Sequence, residues 1–139
     1  MEQIKSWDEA AADYQRVFRM GLNDYNRQLL EFFTSNGLLH PGCSVLDIGC
    51  GTAVLTSRLY ADGLDVTAAD FSDRMLEIAR EKMPKAHLVR ADISQGFPAV
   101  LAEEKFDAIL STYALHHLTD EQKAPFLLEC LKHLNPGGA

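Results

Sequence analysis

Val45-Leu46-Asp47-Ile48-Gly49-Cys50-Gly51-Thr52-Ala53 is the stretch from which the rest of the chain can be read. An apolar run carrying one aspartate is followed by two glycines, and the glycines lead into an amphipathic segment. Glycine is used where a backbone turns sharply or must let a ligand approach with no Cβ in the way. In an open α/β sheet the ligand crevice lies outside the carboxyl ends of the strands. Residues 45–48 therefore read as a first strand, and the turn behind them as the floor of a nucleotide-like cofactor site.

Working outward, residues 64–70, 86–92 and 106–111 read as three further strands, separated by helical patterns. Val54, Leu55 and Leu59 form the inner face of a helix closed by Gly63. Ser72 is an N-cap for the next helix, with Met75, Leu76, Ala79 and Met83 facing inward and Pro84 stopping it. Thr119 and Gln122 make a capping box for the last helix, whose buried stripe is expected at Leu127, Cys130, Leu131 and Leu134, with Pro125 kinking its first turns. Upstream, residues 7–20 are expected to hold one short helix. A second follows with Leu22, Tyr25, Leu29, Leu30 and Phe33 on one face and Asn36-Gly37 at its end. Strands alternating with helices give an α/β fold with a parallel sheet and right-handed crossovers. Residues 1–37 are read as a helical cap and first helix, and 43–139 as the core of a single domain.

Bulk properties narrow the function. The chain has 139 residues, enough for one domain, and a net charge of −7, which speaks against a partner made of phosphate backbone. Three cysteines without metal-ligand spacing argue against a disulfide framework or a zinc site, and point to a reducing, cytoplasmic setting. The N-terminus has no signal-peptide pattern, and no apolar run approaches the ~20 residues that cross a bilayer.

The chemistry gathers in three aspartates, Asp47, Asp70 and Asp92, each at or next to the end of a strand and about one βα unit from the next. A parallel sheet brings all three to one edge, where crowded carboxylates repel unless a ligand donates hydrogen bonds to them. Asp70 follows the glycines by the interval at which an acidic residue takes ribose hydroxyls in dinucleotide folds. Yet a dinucleotide fingerprint wants a glycine at position 54, where this chain has Val54. A nucleoside without phosphates, rich in hydroxyl and amino donors, fits better.

Asp47-x-Gly49-x-Gly51 resembles the first motif of the class I S-adenosylmethionine-dependent methyltransferases. The likeness continues through Asp70-Phe71-Ser72 with Met75, through Ala91-Asp92-Ile93, and through residues 106–111 with His116-His117-Leu118. It ends at Leu134-Asn135-Pro136-Gly137-Gly138. It is closest to the bacterial small-molecule enzymes and covers residues 7–139. The resemblance implies a Rossmann-like sheet of strand order 3-2-1-4, S-adenosyl-L-methionine as cofactor, and methyl transfer to a small molecule. It implies that the backbone of Gly49, Cys50 and Gly51 lines the methionine moiety, with Asp47 ordering its amino group. Asp70 would take the ribose hydroxyls, Phe71 and Met75 would pack near ribose and adenine, and Asp92 and the Ile93 amide would read the adenine. Ser111 would contact the methionyl end through its backbone. Apart from the resemblance, the cap aromatics Trp7 and Tyr14 have two readings, packing in the core or, for Tyr14 as a cofactor-site candidate, shielding the sulfonium by a cation–π contact. Ala53 departs from the family, which often has a third glycine there; a slightly tighter turn with no loss of binding is expected.

His116 and His117 follow the fourth strand and are the candidates for a base or a substrate-orienting group. The family sheet has seven strands and this sequence stops where the fifth is due. Strand 4 is thus expected as an edge, implying either self-association there or a piece of a longer protein. A cofactor-binding module without turnover is the alternative function. A nicotinamide-dependent reductase is disfavoured by Val54.

Overall fold

The computed structural model describes residues 39–139 apart from 52, 112 and 113, together with 28, 31, 32 and 34–37. The expectations for the cap, including Tyr14 and the apolar face Leu22, Tyr25, Leu29, Leu30 and Phe33, lie outside the described residues. Described positions between 28 and 35 are helical, and Gly37, at φ 71°, donates its N–H to Thr34 O at 3.1 Å in the expected C-terminal turn.

Four parallel strands, β1 (Ser44–Ile48), β2 (Asp65–Asp70), β3 (His87–Arg90) and β4 (Ala108–Leu110), form one sheet in the order β3-β2-β1-β4. This is the order the resemblance implied, and it places crossovers on either side of β1. The helices are α1 (Thr56–Ala61), α2 (Asp73–Lys82) and α3 (Asp120–Lys132). Alternation along β1 splits the core in two. Val45 packs with Leu55, Leu59, Val66, Ala79 and Met83 on one face. Leu46 and Ile48 pack with Leu101, Phe106, Leu118, Phe126 and Cys130 on the other.

Helix ends follow the sequence. Ser72 Oγ accepts the Met75 N–H at 3.2 Å, and Thr119 and Gln122 form the reciprocal capping box. The expected stripe of α3 is corrected. Phe126 and Cys130, one turn apart, are its buried residues, whereas Leu127 is 47% and Leu131 61% exposed. Leucine at i and i+4 marks one face of a helix but does not say which face meets the sheet. Phe126 has the larger apolar surface to bury. Helix α3 also runs through Pro125 without interruption from Asp120 to Lys132.

The outer side of β4 is partly occupied. Ala139 donates its N–H to Asp107 O at 3.0 Å and accepts the Ile109 N–H at 2.8 Å. Asp107 braces that same end of the strand, its carboxylate accepting from Ser44 N at 2.9 Å and Asn135 Nδ2 at 3.0 Å.

Candidate functional site

The turn after β1 is built from alternating left-handed residues: Gly49 at φ 76°, Gly51 at φ 56° and Ala53 at φ 62°. It is stitched to β2, since Gly49 N–H and Cys50 N–H both reach Ala69 O, at 2.7 and 3.1 Å. Gly51 N–H donates to Asp70 Oδ2 at 2.8 Å, while Ser72 N–H donates to Asp70 Oδ1 at 2.9 Å. Asp70 therefore holds the turn and the start of α2 together, and each of its oxygens keeps a second acceptor lone pair. Burial raises the Asp70 carboxyl above its ordinary value, and the amides of Ser72 and Gly51 act against that rise.

Asp47 lies within β1 on the Val45 face and is 2% exposed, with Oδ1 unpartnered among the described residues. Burial pushes its carboxyl up to about 7; the Thr56 hydroxyl counters this without completing a hydrogen bond, and the charge of Asp70 adds to it. Cys50, half-buried beside these carboxylates, has its thiol pushed well up by burial first and by Asp47 and Asp70 second. A thiol so placed is no nucleophile.

Gly49 is required for a reason sequence alone did not supply. A Cβ on it would stand 2.2 Å from the Cβ of Ala114, which packs over the turn from the far end of β4. Beyond Ala114, the single turn Leu115–His117 carries both histidines, exposed, with ring centroids 4.1 Å apart. His117 lies close enough to Asp70 for each to shift the other. Partial desolvation, then His116, lowers the His117 pKa, and Asp70 opposes the change. Ser111 stands at the end of β4, its hydroxyl buried and unpartnered among the described residues.

On the β2 side the Arg90 guanidinium lies 5.3 Å from the Phe71 ring centroid and pairs with Asp73 at 3.2 Å. Met75 is buried below. Asp92 is turned toward its own loop, with Oδ1 accepting from Ser94 N at 3.0 Å and Ser94 Oγ at 2.6 Å, so that it caps the short turn Ile93–Gln95. Ile93 sends its side chain to the second core. The carboxyl edge of the sheet thus reads Asp92, Asp70, Asp47 and Ser111 across the strand order. Asp47, Gly49, Cys50, Gly51 and Asp70 share one floor, and Tyr14 lies outside the described residues.

Two neighbours of this floor were absent from the sequence reading. Thr56 is fully buried beside Asp47, and its signal is a polar residue on the apolar face of α1. Ala114 gives no signal. A separate groove of about 600 Å³ between residues 93–97 and α3 contains neither Asp47 nor Asp70. Among the described residues no cluster of three or more His, Cys, Asp or Glu could hold a metal ion, and no helix is long and apolar enough to cross a membrane.

This floor can be set beside known proteins. The sequence model of the methyltransferase domain matches residues 45–138, the span from the first strand to the end of the site-bearing core. The chain belongs to the methyltransferase domain family. An uncharacterized methyltransferase of Geobacillus sp. (strain WCH70) is 34% identical over 137 residues, covering 98% of this chain and 61% of that protein. One from Bacillus mycoides (strain KBAB4) is 38% identical over 96 residues, covering 68% of this chain and 43% of its own length. The chain therefore spans about three-fifths or less of these two relatives. Among solved structures, DhpI in its SAH complex superimposes with a TM-score of 0.81 at 22% identity, covering 98% of this chain and 64% of that one. DesVI of Streptomyces venezuelae does so with a TM-score of 0.72 at 26% identity, covering 91% and 54%. The Rossmann-like methyltransferase fold that the resemblance implied is the fold observed.

Proposed function

We propose that the chain binds S-adenosyl-L-methionine and serves methyl transfer to a small-molecule acceptor. The observation that carries this reading is the buried, unpartnered Oδ1 of Asp47 beside the Asp70 carboxylate. Such a floor calls for a ligand with a cationic nitrogen and hydroxyl donors, and repels phosphate. DhpI, a protein of similar fold, has been solved in complexes with SAM and with SAH, which supports the same ligand here.

In this reading Asp47 orders the amino group of the methionine moiety over Gly49, Cys50 and Gly51. Asp70 accepts from the ribose hydroxyls with the lone pairs left by the Gly51 and Ser72 amides. Phe71, its ring braced by Arg90, and Met75 border ribose and adenine. Asp92 and the Ile93 amide meet the adenine edge, and Ser111 and Tyr14 bound the sulfonium end. When bound, the cofactor supplies a methyl group on a good leaving group. The protein's contribution is alignment, a kind of positioning that can be worth ~7–11 kcal/mol. His116 and His117 border the face from which an acceptor enters, and either can orient it or take its proton.

Calorimetry with S-adenosylmethionine, S-adenosylhomocysteine and NADH tests the binding. Both S-adenosyl compounds should bind and NADH should not, and the reverse outcome sinks the proposal. Turnover against a panel of hydroxyl, amine and thiol acceptors then separates an enzyme from a module that only holds the cofactor.

A further inference from the structure

Two buried polar atoms lie at the floor of the site with no hydrogen-bond partner among the described residues: Oδ1 of Asp47 and Oγ1 of Thr56. Asp47 is 2% exposed and Thr56 0%, so water does not stand in for the missing partners at the protein surface. Native proteins rarely keep such groups, and each one calls for an explanation. Thr56 is the first residue of α1, and its hydroxyl is near enough to act on the Asp47 carboxyl. A hydroxyl can give its hydrogen to a carboxylate or accept one from a carboxyl, so the pair suits either protonation state of Asp47.

The surroundings favour the neutral state until a cation arrives. Asp70 faces Asp47 from the end of β2 and Cys50 from the turn. Helix α1 presents the uncharged Thr56, and β4 presents Leu110 opposite Asp47 in register. His117 acts on Asp70 rather than on Asp47. No basic side chain is among the described groups that act on Asp47.

We propose that Asp47 and Thr56 form a proton-exchanging pair, in which a cationic ligand entering the floor displaces the Asp47 carboxyl proton to solvent and Thr56 sets the pH of the exchange. This rests on the reading of the site as one for S-adenosylmethionine, whose ammonium group would supply the charge at Asp47. With the carboxyl titrating near neutrality in the free protein, it is held partly protonated there and becomes ionised once a cation compensates its burial. Thr56 is a positioning residue: it meets the carboxyl and not the reacting atoms.

Calorimetric titration of the protein with S-adenosylmethionine at pH 6, 7 and 8, in two buffers of different ionisation enthalpy, counts the protons released. About one proton should leave at pH 6, about half at pH 7 and few at pH 8, and affinity should rise about tenfold from pH 6 to pH 8. The ligand's own amino group also titrates, so Asp47→Asn serves as the reference and should lose the protein's share of the release. Thr56→Val should move the midpoint of release to higher pH, and Thr56→Ser should restore it; a purely structural role would leave that midpoint in place. Equal proton counts in the wild-type protein and Asp47→Asn overturn the inference. If Asp47→Asn does not bind, an unmoved midpoint in Thr56→Val overturns it instead. Absence of binding by S-adenosylmethionine and S-adenosylhomocysteine alike would remove the functional reading itself, whereas binding without proton release removes only this pair.

Discussion

Asp70 Oδ2 accepts the Gly51 amide at 2.8 Å, joining the end of the second strand to the glycine turn that follows the first. The same carboxylate accepts the Ser72 amide at 2.9 Å, so one side chain fixes both walls of the floor before any ligand enters. Asp70→Ala should weaken S-adenosylhomocysteine binding by more than tenfold, about 1.4 kcal/mol, because it removes the acceptor and frees the turn. Asp70→Asn, which keeps one acceptor oxygen, should fall between. Calorimetry checks both, and an unchanged affinity for Asp70→Ala rules out its role at the ribose.

Gly49 and Ala114 are coupled by space. With Gly49 at φ 76° and a new Cβ placed 2.2 Å from Ala114 Cβ, Gly49→Ala should destabilise the fold by about 2 kcal/mol or more. The double variant Gly49→Ala/Ala114→Gly should recover the part due to collision and leave the part due to the left-handed backbone. Urea denaturation of the four proteins gives the coupling, and strict additivity would show that the two residues do not compete for the same volume.

Ala53 sits at φ 62° with no exposed surface, a non-glycine residue where the family often has glycine. Replacing it with glycine relieves a left-handed cost of ~1–2 kcal/mol but gives up a buried methyl worth about 0.8 kcal/mol and adds chain entropy. These nearly cancel, so Ala53→Gly should shift stability by less than about 1 kcal/mol. Ala53→Val, β-branched in the same well and in a filled core, should cost more than about 2 kcal/mol. Thermal unfolding of the pair measures the contrast.

The pH dependence of the ligand-free protein should carry two opposite signatures. Asp47 has a folded pKa of about 7, above its ordinary value of 3.8, so the folded state binds the extra proton and stability falls as pH rises between those values. From pH 5.5 to pH 8 its share is a loss of about 2 kcal/mol, which Asp47→Asn should remove. Asp107, held below the ordinary carboxylate value first by the Ser44 amide and then by Asn135, does the reverse. Its stabilisation is present above the ordinary carboxylate value and is lost as pH falls through the lowered one. Asp107→Ala should flatten only that acid limb. Denaturation midpoints from pH 3 to pH 8 separate the two residues.

While the strand order was implied by the family resemblance, the sequence by itself determined the four strands, their parallel sense, the glycine turn and the gathering of Asp47, Asp70 and Asp92 at one edge. These follow from local signals: apolar runs, glycines where the chain reverses, Ser72 and Thr119 as caps, and the fixed hand of the crossovers. Three features were decided by tertiary structure, because each depends on atoms that local pattern does not bring together, and a fourth by a local bond whose choice of partner the pattern leaves open. The face of α3 that meets the sheet went to Phe126 and Cys130, since burial is settled by what lies opposite a helix and not by the helix's own period. Gly49 is made necessary by Ala114, which arrives from the segment beyond β4. Asp92 spends an oxygen on Ser94, a local bond that competes with any ligand for its acceptors. Thr56 comes beside Asp47 because α1 packs on the Val45 face of β1, and both side chains keep a buried, unpartnered oxygen at the floor of the site.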